Sequence, residues 1–78
     1  MSKHKLVGWR CFEKILFAKG FSFIRQKGSH RSYKHPDWGG RYFVLVRHNP
    51  LAPGTLSANI RKLGLPREEF EHLVTELC

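Results

Sequence analysis

The hydrophobic period of this chain changes at Gly20, and that change narrows what it can fold into. Before it, Phe12, Ile15, Leu16 and Lys19 fall at helical spacing, and Cys11 widens the same stripe. This predicts a helix over residues 7–19, with Gly20 suited to a left-handed cap. After it, residues 21–27 are aromatic and β-branched and predict a strand. Gly28 and Ser29 make a short turn. Residues 29–35 read as a second, polar strand, with Arg31, Tyr33 and His35 on one face and His30, Ser32 and Lys34 on the other. Pro and Gly mark residues 36–40 as a loop. Residues 41–47 form the third strand, and residues 48–54 a second loop. A short helix then starts near Gly54 and Thr55, turns Leu56, Ile60 and Leu63 inward and ends at Gly64. Pro66 is expected at the first position of a last helix. There Glu68 and Glu69 favour the positive end of the helix dipole, and Phe70, Leu73, Val74 and Leu77 are buried.

The predicted order is therefore α-β-β-β-α-α. Strands joined by short loops pair as an antiparallel meander. The helices must cover one sheet face, because their apolar stripes have nowhere else to go. The expectation is an α+β fold: one domain spanning residues 1–78, with a three-stranded antiparallel sheet, helices on one face and the other face open. A chain of 78 residues has little core to spare.

Composition limits the function. With 41% hydrophobic and 26% charged residues the chain is neither disordered nor collagenous. No apolar run is long enough to span a bilayer, and Lys3 and Lys5 precede no apolar signal segment. A cytoplasmic protein without membrane contact is expected. Cys11 and Cys78 lie far apart in no metal-binding spacing. One disulfide between them is possible, but two reduced thiols in a cytosolic protein is the expected state.

Charge is unevenly distributed. The net charge is +8, but residues 1–62 hold thirteen of the fourteen basic residues and two acids, or +11, while residues 63–78 carry −3. Such segregation predicts a polyanion-binding face, with nucleic acid as the leading partner, and an acidic tail that takes no part in it. Residues 25–36 concentrate Arg25, Lys27, Arg31 and Lys34 with His30 and His35, and contain no acid. The cations can neutralise phosphates. A histidine among them is the natural proton carrier near neutral pH. RNA can be cleaved without metal when a base takes the 2′-hydroxyl proton, the freed oxygen attacks phosphorus and cations stabilise the charge that develops. A metal-dependent nuclease needs clustered carboxylates, and residues 1–62 offer only Glu13 and Asp37.

On composition alone, each of His4, His30, His35 and His48 reads first as a solvated or phosphate-contacting side chain, and His72 as an exposed one. A zinc site from His30, His35 and His48 is conceivable, but it is not the reading expected here. Ser29 belongs to no Ser-His-acid arrangement. Trp9 reads as a partly buried helix residue and Trp38 as a loop cover, although either ring can stack on a base.

The run Gly20-Phe21, then Arg25-Gln26-Lys27-Gly28-Ser29-His30, Tyr33-Lys34-His35-Pro36, Arg47-His48, and Pro53-Gly54-Thr55-Leu56 with Ile60 and Leu63-Gly64-Leu65 resembles the HicA family. These are small toxins of type II toxin–antitoxin systems. The resemblance extends from about Leu6 to Leu77. Gly-Ser-His followed at this distance by Gly-Thr-Leu is more specific than either piece alone. The resemblance implies a fold similar to double-stranded-RNA-binding domains and an endoribonuclease that cleaves mRNA independently of the ribosome and arrests translation, with no cofactor. It implies that His30 is the catalytic histidine. A HicB-type antitoxin is expected to cover the active face, so that the chain is a monomer when free and a hetero-oligomer with its antitoxin. Arg25, Lys27, Ser29, Arg31, Lys34, Arg47 and His48 are the expected RNA-binding residues, His48 also being a candidate second proton-transfer group. Tyr42 and Val44 are expected to make the open face more apolar at its third strand. The alternative is a non-catalytic RNA-binding module of the same fold.

Overall fold

The computed structural model describes residues 7–78. The expectation for His4 lies outside them. Helix α1 (Trp9–Ala18) leads into strands β1 (Ser22–Lys27) and β2 (His30–Lys34). A 3₁₀ turn (Pro36–Trp38) follows, then strand β3 (Phe43–Val46), helix α2 (Pro53–Leu63) and helix α3 (Arg67–Leu77). The α-β-β-β-α-α order is the one that the hydrophobic periods predict. The strands form one antiparallel sheet in the order β1-β2-β3.

Two glycines set the corners. Gly20 has φ +96° just past α1, and the Phe21 amide reaches back to the Leu16 carbonyl at 3.0 Å. Gly28 has φ +59° in the β1–β2 turn, a backbone region that side chains disfavour.

Strand alternation puts Tyr33 of β2 and Phe43 and Leu45 of β3 on the helix side, where all three are fully buried with Phe12, Ile15 and Leu16 of α1. Phe12 stacks on Phe43 at 5.7 Å and meets Phe70 of α3 at 6.0 Å, so one ring joins sheet and both helices. Ile60 adds α2 to this core. β1 is peripheral. Its register shifts between Phe23 and Arg25, leaving Ile24 as the extra residue of a bulge, and Phe23 and Ile24 are exposed.

Several boundaries differ from the sequence expectation. β3 covers residues 43–46 rather than 41–47. The 3₁₀ turn draws the chain away from β2, and the Arg41 amide bonds to the Trp38 carbonyl instead of a strand. α2 begins at Pro53, and Pro66 precedes α3 as its cap with an extended ψ of 148°.

The two thiols are not free: Cys11 and Cys78 form a disulfide, with Cα atoms 5.6 Å apart. The expectation of reduced thiols is corrected by the packing of α3 on α1. Cys11 faces Cys78, Lys14 Nζ donates to the Leu77 carbonyl at 3.3 Å, and Lys19 pairs with Glu69 at 2.9 Å. These pairs run in opposite directions along the two helices. The helices are therefore antiparallel, and the end of the chain meets the start of α1. A separation of 67 residues gives no sign of that meeting.

Candidate nucleic-acid interface

The strand register builds the open face row by row. Lys27 stands opposite His30, and His30 opposite Val46. Arg25 stands opposite Ser32, and Ser32 opposite Val44. Ser22 stands opposite Lys34. Cross-strand partners point to the same side of a sheet, and Tyr33 and Phe43 occupy the helix side. Among the described residues, the strand positions facing away from the helices therefore carry Arg25, Lys27, His30 and Lys34 together, all exposed, and no carboxylate. Among the described residues none of these four forms an ion pair.

His30 is the first residue of β2, and the turn before it is held twice. The Ser29 carbonyl accepts the Arg47 amide at 2.8 Å, and the Gly28 carbonyl accepts Gln26 Nε2 at 2.9 Å. The imidazole thus projects from a doubly held turn at one end of a cationic row.

His35, five residues on, has a different task. Its Nδ1 accepts the Asp37 amide at 3.0 Å, so Nε2 carries the proton and donates to the Lys19 carbonyl, also at 3.0 Å. Its ring lies 4.8 Å from Phe21. With both nitrogens engaged, His35 caps the 3₁₀ turn and ties it to the end of α1.

Two expected RNA-binding residues lie on the other side of the sheet. Arg31 points to the helices. Its guanidinium meets Glu13 Oε2 at 2.6 Å, Tyr33 Oη at 3.0 Å and Gln26 Oε1 at 2.8 Å. Burial pulls its pKa down, but the hydrogen bonds and charges of Tyr33 and Glu13 outweigh this and hold it raised. Tyr33 donates to Glu13 Oε2 at 2.6 Å, and burial, followed by that bond, pushes its phenol well above the usual tyrosine value. Arg31 is therefore held on the helix side by Glu13, Tyr33 and Gln26 and does not stand among the cations of the open face. The Arg47 guanidinium also lies on the helix side, 5.0 Å from the Trp9 ring.

His48 follows β3 and is exposed. With Val46, Leu51, Ala52 and Thr55 it lines a pocket of about 120 Å³. Val46 belongs both to this pocket and to the row opposite His30. Sequence reasoning missed Leu51 and Thr55 as neighbours of the site. The signal available was the Gly54-Thr55-Leu56 motif, which gives no register with β3. Tyr42 and Val44 are exposed as expected, at 53% and 38%. Among the described residues, no three His, Cys, Asp or Glu side chains gather as a metal-ligand group, and no helix is long and apolar enough to cross a membrane.

A family model described as the HicA toxin of bacterial toxin–antitoxin systems matches residues 9–65. The match contains α1, the whole sheet and α2, and stops before α3. No curated protein matches the chain.

Proposed function

This chain belongs to the HicA family of bacterial toxin–antitoxin toxins, and from that premise and the geometry of the open face we propose that it is a metal-independent endoribonuclease that cleaves mRNA and thereby arrests translation. His30 takes the proton of a 2′-hydroxyl. The 2′-oxygen attacks the adjacent phosphorus, the bond to the 5′-oxygen breaks, and that oxygen leaves with a proton from a general acid. His48, two residues after Val46, is the candidate acid. Lys27, beside His30, stabilises the charge gathering on the phosphoryl oxygens, and Arg25 and Lys34 hold neighbouring phosphates. Ser29 orients the backbone that presents His30. The products are a 2′,3′-cyclic phosphate and a 5′-hydroxyl.

The observation that carries this reading is the row Lys27–His30–Val46 on a sheet face that, among the described residues, no helix covers and whose strand positions hold no carboxylate. A HicB-type antitoxin with an acidic surface is the partner that such a face selects. Its docking would cover His30, and the chain would be monomeric without it. With mRNA and antitoxin as its partners the chain would work in the cytoplasm, where the Cys11–Cys78 disulfide would have to persist against cellular reductant. A non-catalytic RNA-binding module would use the same cations. Incubation of the purified protein with RNA in EDTA separates the two readings: the nuclease yields fragments ending in cyclic phosphate, whereas the binder yields a complex and intact RNA.

A further inference from the structure

Trp9 collects three guanidinium groups. The Cζ atoms of Arg10, Arg47 and Arg31 lie 4.8, 5.0 and 5.1 Å from its ring centroid. The carboxylate at this place is Glu13, whose Oε2 is bonded to Arg31 and Tyr33. Arg31 is thus neutralised in place. Arg10 and Arg47, both exposed, pair with no carboxylate among the described residues, and the first turn of α1 carries no acid. Two like charges held on one indole repel each other. Cation–π attraction to the ring offsets part of that repulsion, and an anion lying across both removes the rest. Guanidinium forks match phosphate oxygens in shape as well as charge.

The position of the cluster selects the anion. Arg47 follows Val46, the residue opposite His30, and its amide is bonded to the Ser29 carbonyl. The arginines therefore lie just round the Gly28–Ser29 end of the sheet from the proposed scissile site. We propose that Arg10 and Arg47 form a second phosphate subsite, which receives the RNA backbone after it leaves the open face beside His30 and bends round the sheet end. This inference rests on the ribonuclease reading for the direction of the strand. Trp9 is only 6% exposed and its faces are occupied by arginine, so the subsite grips phosphate and not bases. Its contribution is the same for every sequence.

The test is equilibrium binding of a fluorescein-labelled single-stranded oligoribonucleotide of roughly twelve nucleotides to the full chain carrying His30→Ala, titrated over a range of salt. Arg10→Gln and Arg47→Gln are each expected to flatten the slope of log affinity against log salt by roughly 0.7, and the double variant to weaken low-salt binding at least about tenfold, equally for uridine-rich and adenosine-rich probes. The double lysine variant, which keeps the charge, is expected to retain the slope and guards against a folding defect. An unchanged slope and affinity in the double glutamine variant, with Lys27→Ala lowering both, overturns the subsite and leaves the cluster to a protein partner. A flattened slope with no cleavage by the parent protein upholds the subsite and discards the ribonuclease reading.

Discussion

Lys27 and His30 face each other across the β1–β2 ladder, at the two ends of a turn whose only intervening residues are Gly28 and Ser29. The pairing places an ammonium beside an imidazole on the uncovered sheet face. In the proposed mechanism, a cation there would favour the charge that gathers on phosphoryl oxygens during 2′-hydroxyl attack. Lys27→Ala is therefore expected to slow RNA cleavage by about ten- to a hundredfold. Both residues are exposed, so thermal stability should change by no more than about 0.5 kcal/mol. Cleavage assays and melting curves on the same preparation check both halves.

His35 provides the contrast. Loss of its two hydrogen bonds in His35→Ala frees the 3₁₀ turn from the end of α1 and is expected to cost about 1–2 kcal/mol in urea unfolding. Below the unfolding transition the variant should cleave RNA at close to the parental rate. A full loss of cleavage in folded His35→Ala would assign it a role at the site that its contacts do not support.

The Glu13–Arg31–Tyr33 cluster makes stability depend on pH at the alkaline end. In the fold the Tyr33 phenol titrates above the ordinary value of 10.0, so the native state keeps its proton after the unfolded chain has lost one. That contribution is fully present below about pH 10 and declines as pH rises further. Tyr33→Phe is expected to lose about 1 kcal/mol near neutral pH and to show a shallower decline above pH 10 than the parent. Parallel slopes in urea denaturation across that range would contradict the assignment.

The disulfide acts on the layer opposite the open face. Cross-linking over a separation of 67 residues is worth about 4 kcal/mol by restriction of the unfolded chain. Cys78→Ser, or reduction by dithiothreitol, is expected to lower the melting temperature markedly, while the folded fraction still cleaves RNA. The check is to measure both with and without reductant.

Much of this architecture is legible in the sequence, because local periods carry it. The spacing of Phe12, Ile15 and Leu16 specifies α1. The alternation of His30, Ser32 and Lys34 against Arg31 and Tyr33 already separates the open face from the helix side. The same alternation, applied strictly, puts Arg31 on the helix side and not on the open face. Contacts between distant parts of the chain are what the sequence conceals. Nothing near Cys11 announces Cys78, and Arg47 reads as one more basic residue until Trp9 is seen beneath it. The two histidines of residues 25–36 are chemically alike on paper. They differ because the Lys19 carbonyl and the Asp37 amide both converge on His35, and only the folded chain brings them there.

The central claim is tested most directly by single-turnover cleavage of a labelled RNA in EDTA by the parent and by His30→Ala, each shown to be folded by circular dichroism. The account predicts that the parent releases fragments ending in 2′,3′-cyclic phosphate, and that the variant binds the same RNA but cleaves it at least about a thousandfold more slowly. Cleavage by His30→Ala at the parental rate would contradict it.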